Sequence, residues 1–455
     1  MNSPESAPKD LSAADPPHSL LAPYMHSLDL LPTWRWSGRV VKAVGQIVES
    51  DGPPCSVGEV CAVLGANGAS VEGQVVGFRE ATVLSMPLRP PQGIRFGDRL
   101  VTWGRKPAVG VGDALLGRVI DGSGLPFDDL GEILTDSFRP YDADPPSPME
   151  RELIHQPLGS GIRAIDGLLT CGRGQRLGIF GGSGVGKSTL IGMMTRNTMA
   201  DLTVLALVGE RGREVREFLQ NALGEEGRKR SVVVVSTSDQ SPLLRIRAAL
   251  AATAIAEHFA HRGKHVLLVV DSLTRFAMAQ REIGLAAGEP PTAKGYTPSV
   301  FALLARLVER AGQFRDGSIT AFYTVLMEGD DQLDPLVDAV RSLLDGHIIL
   351  DRQLGAQGHY PAIHLLDSLS RLMPAVTTAD HRRQATRLRQ LLAAWRQSED
   401  LVRIGAYQAG ADALLDQALA ALPAIRAYLR QGARERLSFA DSVEQLLHLP
   451  LGEKP

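Results

Sequence analysis

Lysine is scarce in this chain. Of 48 basic residues only 8 are lysines, so a lysine inside a glycine-rich motif is a rarer accident here than in most proteins. Cysteine is scarcer still: Cys55, Cys61 and Cys171 are an odd number, with no C-x-x-C spacing and no neighbouring histidine ligands. That excludes a disulfide framework and a zinc site, and it suits the reducing cytoplasm. No apolar run approaches the roughly 18 residues that a membrane span requires, and Met1–Pro17 lack the apolar stretch of a secretion signal. The chain is therefore expected to be cytoplasmic. Nor is there an excess of positive charge. A net charge of −3 gives no global pull towards nucleic acid, and no aromatic-plus-basic run stands out across residues 36–105, so no nucleic-acid partner is expected.

What is present reads as several globular units. A length of 455 residues predicts two or three domains, and 44% hydrophobic with 22% charged residues is the balance of a packed protein. Residues 1–35 read as a disordered tail followed by an amphipathic helix, with Leu21, Tyr24, Met25, Leu28 and Leu31 at helical spacing. Such a helix could dock on the next domain or serve a partner or a membrane surface. Over 36–105, short β-rich runs separated by Gly, Pro and Asn predict a small β-barrel. Residues 106–150 are rich in Gly and Pro and read as a linker. Between 151 and 375, continuous apolar runs such as Thr203–Val208 and His265–Val270 alternate with helical patterns. Runs without alternation are strands covered on both faces, hence an α/β domain with a mostly parallel sheet. Residues 376–455 read as a helical domain, with Gly410 and Pro423 as interruptions.

The chemistry concentrates in one stretch. Gly181-Gly182-Ser183-Gly184-Val185-Gly186-Lys187-Ser188-Thr189 follows a strand candidate and precedes a helix candidate, the context a phosphate-binding loop needs. Its glycines let backbone N–H groups turn inward around phosphate oxygens, Lys187 reaches the β- and γ-phosphates, and the Ser188 hydroxyl is offered to Mg²⁺. Asp271 ends the apolar strand Val266–Val270, where open α/β sheets gather their ligands, and is the candidate second contact to the metal. Hydrolysis also needs a group that orients water. Glu210 at the end of Thr203–Val208 is the candidate general base, although the charged run Arg211, Arg213, Glu214, Arg216 and Glu217 leaves open a merely solvated helix face.

Val208-Gly209-Glu210-Arg211-Gly212-Arg213-Glu214-Val215-Arg216-Glu217-Phe218, together with the phosphate loop, resembles the hexameric rotary ATPase superfamily. Four further stretches, beginning at Ala164, Asp271, Leu344 and Gly358, resemble the type III secretion ATPases, and the wording of the loop is closer to the flagellar export branch. The resemblance implies a RecA-type core that hydrolyses ATP with Mg²⁺. It implies Glu210 as the catalytic glutamate, and Arg211 and Arg275 near the phosphates. It makes Arg371 an arginine finger reaching a neighbouring subunit, and Tyr360 the residue that stacks on adenine, with Tyr407 a second adenine-side candidate. From the residues alone Arg371 would be a surface arginine and Tyr360 a core aromatic.

The implied assembly is a homohexamer at the inner face of the cytoplasmic membrane, working with a central stalk protein, a regulatory stator protein at the N-terminal helix, export-gate membrane proteins, and chaperones with their substrates. An injectisome ATPase and the catalytic subunit of a rotary ATP synthase are the alternatives. Two positions depart from the family pattern: His364 stands where an Asp is usual, with Asp367 nearby to balance it, and Ala305 where a Pro is usual.

Overall fold

Inward-facing Val40, Val48, Cys61, Val63, Val75, Val83 and Leu100 form a small core of their own near the N-terminus. They sit on six short antiparallel strands, Ser37–Val44, Ile47–Ser50, Val60–Leu64, Ser70–Arg79, Thr82–Pro87 and Arg99–Thr102, which close into a barrel. Closure removes the exposed edges that such short strands would otherwise present. The structure is a computed structural model that describes residues 36–65, 68–327 and 334–452. The amphipathic helix expected within 1–35 lies outside the described residues.

The central domain is a nine-stranded sheet. Along its main path the order is Leu369–Ser370, Gly346–Ile349, Arg176–Gly181, Ser318–Leu326, His265–Asp271, Leu202–Glu210, Ser231–Thr237 and Val119–Asp121. From Gly346–Ile349 to Val119–Asp121 every pairing is parallel. The unbroken apolar runs have the predicted cause: Val204–Val208 and Val232–Val235 are buried throughout, with helices on both faces. Helix Pro242–Ala260 is alanine-rich and almost wholly buried, which lets it lie close between the sheet and its neighbours.

The segment 106–150 is more than a connector. Val119–Asp121 is the outermost parallel strand of the central sheet, and Ala108–Val111 pairs with Ser137–Pro140. Strands of three or four residues are too short to show a period, so tertiary pairing decides them. Arg310 fastens this segment down. It is 1% exposed and donates through Nε and Nη2 to the two Glu257 oxygens at 2.6 and 2.8 Å, and through Nη1 to the Tyr141 carbonyl at 2.7 Å.

Three helices, Ala379–Arg403, Ala413–Leu429 and Phe439–Leu447, complete the chain. The break at Gly410 occurs as expected, with φ of 91°. Pro423 is a correction: it lies inside Ala413–Leu429 and does not end it. Its missing N–H forfeits one helical bond, but Leu415, Ala418, Leu422 and Ile425 on the same helix are buried, and that packing outweighs the loss.

Removing one partner of the Arg310–Glu257 pair leaves a buried charge alone. Arg310→Met is expected to destabilise the core by about 3–5 kcal/mol, and Arg310→Met with Glu257→Gln to recover much of that, as read from thermal unfolding midpoints.

Candidate active site

The phosphate loop joins strand Arg176–Gly181 to helix Lys187–Asn197. Gly184 and Gly186 adopt φ of 80° and 91°, a region that suits glycine, and Gly186 caps the helix with no side-chain hydrogen bond. The first N–H groups of the helix are thus left for an anion, at the positive end of the helix dipole. Ser188 and Thr189 are exposed there, and Val185 is buried as an anchor. Gly181 ends the strand. Gly182 lies so close to Arg352 that a Cβ would come 2.7 Å from its Nη2.

Lys187 Nζ is 3.2 Å from Asp271 Oδ1. Asp271 ends strand His265–Asp271, two places along the sheet, and the intervening strand supplies Thr324, whose hydroxyl donates to the same Oδ1 at 2.6 Å. The structure thus brings these two sequence-predicted residues together, while Thr324 carried no signal in the sequence.

Glu210 is aimed by a bulge. Strand Leu202–Glu210 runs in register with Ser231–Thr237 as far as Val208 and Ser236, then slips so that Glu210 faces Thr237 and Gly209 is the extra residue. Gly209 has φ of 69°, and a Cβ on it would meet Arg275 Cβ at 3.1 Å. The bulge turns Glu210 into the cleft and lets the Arg275 stem pass over the backbone. Burial, then the negative charge of Asp271, then a hydrogen bond with Glu214 push the Glu210 carboxyl up to about 7, against the opposing pull of Lys187. A carboxyl with that value near neutral pH is suited to accept a proton from water.

One cleft of about 930 Å³ brings most of these groups together. Gly182, Ser183, Gly184, Gly186, Lys187, Ser188, Thr189, Glu210, Arg211 and Arg275 line it, and its volume is within the range of small-molecule sites. Arg211 is largely exposed, 3.8 Å from Glu214. Tyr360 is half-exposed and lies over Gly186, where a Cβ would be 3.4 Å from its ring. Its carbonyl accepts from Gln431 N at 2.9 Å.

Two predicted residues are not brought to this cleft. The Tyr407 hydroxyl donates to Asp416 at 2.8 Å and to the Asp412 carbonyl at 3.1 Å, and the ring packs among the C-terminal helices. It is not among the residues that line the cleft. Arg371 is exposed, and its N–H donates to the Asp345 carbonyl just before strand Gly346–Ile349. The phosphate loop follows the carboxyl end of the neighbouring parallel strand. Four residues at about 3.3 Å each separate the two ends, so Arg371 does not serve the cleft of its own chain.

The cleft also has a wall that sequence reading missed. Arg196, Ala433, Arg434 and Arg436 line it, and Arg196 donates to the Ala433 carbonyl at 2.6 Å. Burial, then Arg436 and Arg434, lower the Arg196 pKa. No spacing links residues 433–436 to the loop some 245 positions earlier; the only trace was the clustering of arginine in Arg434-Glu435-Arg436.

Three stretches of the chain match known families. Residues 161–370 match the ATP synthase alpha/beta family, nucleotide-binding domain; residues 40–103 its beta-barrel domain; and residues 377–448 the T3SS EscN ATPase C-terminal domain. The flagellum-specific ATP synthase of Bacillus subtilis is 48% identical over 94% of this chain and 98% of its own. The type 3 secretion system ATPase of Xanthomonas euvesicatoria is 50% identical over 92% and 95%. The assembled ATPase EscN of enteropathogenic E. coli, solved in complex with its central stalk EscO, superposes with a TM-score of 0.84 at 43% identity, covering 90% of this chain and 99% of that one. The chain belongs to the type III secretion ATPases, within the ATP synthase alpha/beta family. It is a P-loop ATPase with the barrel, parallel core and helical C-terminus of that family, and the match at 377–448 sets it apart from a rotary ATP synthase subunit.

Three outcomes follow from the bulge and the carboxyl pair. Below about pH 7 Glu210 takes up a proton and cannot accept another, so kcat/KM for ATP should fall on the acid side with an apparent pKa near 7. Glu214→Gln removes a group that raises that value, and should move the acid limb down by roughly one unit. Gly209→Ala should cut kcat about 100-fold while circular dichroism shows the fold retained, because the Cβ displaces Arg275 and disfavours the backbone that aims Glu210.

Proposed function

We propose that this protein hydrolyses ATP to ADP and phosphate to energise type III protein export for flagellar assembly, releasing export substrates from their chaperones and delivering them to the export gate. Relatives named flagellum-specific ATP synthase, at 45–51% identity over most of the chain, support that purpose. The observation that carries the enzymatic reading is the cleft itself: an unblocked helix N-terminus, the Lys187–Asp271 pair and a carboxyl raised to about 7 converge on one side of a parallel sheet.

The loop Gly181–Thr189 cradles the triphosphate, with Lys187 on the β- and γ-phosphates and Arg211 and Arg275 screening their charge. Glu210 accepts the proton of the attacking water. Tyr360 stacks on the base. Ser188 and Asp271 offer oxygen donors of the kind that Mg²⁺ takes. Among the described residues no group of three or more His, Cys, Asp or Glu could hold a metal, so the ion would complete its shell with phosphate and water oxygens. Bound there, it neutralises charge on the transferred phosphoryl group.

Arg371 completes the site of a neighbouring copy. Its place at the far end of its own sheet supports action in trans, and one chain carrying phosphate loop, Glu210 and Arg371 can build six identical sites in a homohexamer. A central stalk would occupy the ring, as EscO is the central stalk of EscN. A stator protein at the N-terminal segment 1–35 would hold the ring at the inner face of the cytoplasmic membrane. Among the described residues no helix is long and apolar enough to cross a membrane.

A mixing experiment tests the arrangement. Glu210→Gln and Arg371→Ala should each lower kcat by at least about 100-fold. Mixed in equal amounts before assembly, they should recover about a quarter of wild-type activity, since half the sites keep Glu210 and half of those meet an intact Arg371. No recovery on mixing would remove the trans finger from the mechanism.

A further inference from the structure

A second cavity, of about 160 Å³, lies between the loop 351–366 and the helices Ala379–Arg403 and Ala413–Leu429. It shares no lining residue with the nucleotide cleft. Leu354, Ile363, Leu392, Leu422 and Leu429 make an apolar interior, and Trp395 forms one side. A space of about 150 Å³ is enough for a single aromatic ring.

The polar groups on its wall are more specific. His359 lines the cavity at 7% exposure, and among the described residues its ring has no hydrogen-bond partner. Arg426 and Arg430 stand at the rim, neither in an ion pair among the described residues, with the Arg426 guanidinium 5.7 Å from the Trp395 ring centroid. Burial, then Arg430 and Arg426, hold the His359 pKa below its usual value, so near neutral pH the ring is uncharged, with one donor and one acceptor nitrogen. Two carboxylates on the wall are already engaged: Asp351 Oδ1 accepts from Gln353 N and Leu354 N, and Glu399 is held by Arg396 at 2.6 Å and Arg403 at 3.9 Å. His364, the departure from the family pattern, also lines the cavity and pairs with Asp367 at 3.1 Å. A histidine there removes the negative charge that an aspartate would have added.

We propose that this cavity is a binding site for a small aromatic carboxylate, its ring among the leucines beside Trp395, its carboxylate on Arg426 and Arg430, and its polar edge within reach of His359. The same loop carries Tyr360 between His359 and Pro361, so the ligand and a nucleotide would act on one strap of chain from opposite sides.

Calorimetric titration of the full chain with benzoate, benzyl alcohol and acetate tests this, with tryptophan fluorescence as a second readout through Trp395. Benzoate should bind once per chain with a Kd on the order of 0.1–1 mM, as its size allows. Benzyl alcohol should bind roughly tenfold more weakly for want of a charge, and acetate should not saturate. In an Arg426→Gln/Arg430→Gln variant, benzoate should weaken about tenfold, with benzyl alcohol binding and basal ATP hydrolysis unchanged. Equal heats from benzoate and acetate would overturn the proposal. So would benzoate binding that survives the double variant, or that is displaced by ATP while insensitive to it, since the probe would then be at the phosphates.

Discussion

Two opposite charges, Lys187 and Asp271, held 3.2 Å apart at the carboxyl ends of a buried parallel sheet, set the terms for the rest of the cleft. Neither could be kept there alone, because an unpaired charge in such surroundings is expensive. Thr324 from the strand between them fixes the carboxylate. The pair in turn gives the bulge at Gly209 its meaning: Glu210 is turned towards a site that already holds one carboxylate, and its own charge becomes harder to carry. A poised base is the result of that crowding. The long apolar strands are what allow it, since only a sheet covered on both faces brings three strand ends together out of water.

Around this centre the chain is fastened at two distant places. On one side, Arg310 and Glu257 bind the segment 106–150 to the core helices. On the other, the loop after Ala413–Leu429 reaches back to the site: Gln431 N donates to the Tyr360 carbonyl and Arg196 to the Ala433 carbonyl. The helical domain thus forms one wall of the nucleotide cleft and one wall of the second cavity. Any movement of these helices would alter both.

The departures from the family pattern are local in their effect. Ala305 lies within helix Pro298–Glu309, where a residue with an N–H continues the helical bonding. His364 takes Asp367 as its partner, with the Asp367 N–H donating to its Nδ1 at 3.3 Å, and the negative charge that an aspartate would place at position 364 is absent. Neither residue lines the cleft at the phosphates.

The phosphate loop was fully legible because its chemistry is local: nine consecutive residues carry the turn, the lysine and the hydroxyls, and the flanking patterns name a strand and a helix. Asp271 and Glu210 were legible as ends of apolar runs, since burial on both faces of a strand leaves a polar residue only where the strand emerges. The barrel was read from short β-rich runs separated by Gly, Pro and Asn, and the helical end from helical spacing. By contrast, the edge strand Val119–Asp121 is too short to have a period, and Pro423 reads as a break until the packing of its helix is known. That Tyr407 bonds to Asp416, that Arg434 and Arg436 form a wall of the cleft, and that Arg371 sits at the wrong end of its own sheet for its own phosphates were decided by tertiary structure alone. Those relations join residues tens to hundreds of positions apart, and they are set by strand register and domain packing, which no local run of side chains encodes.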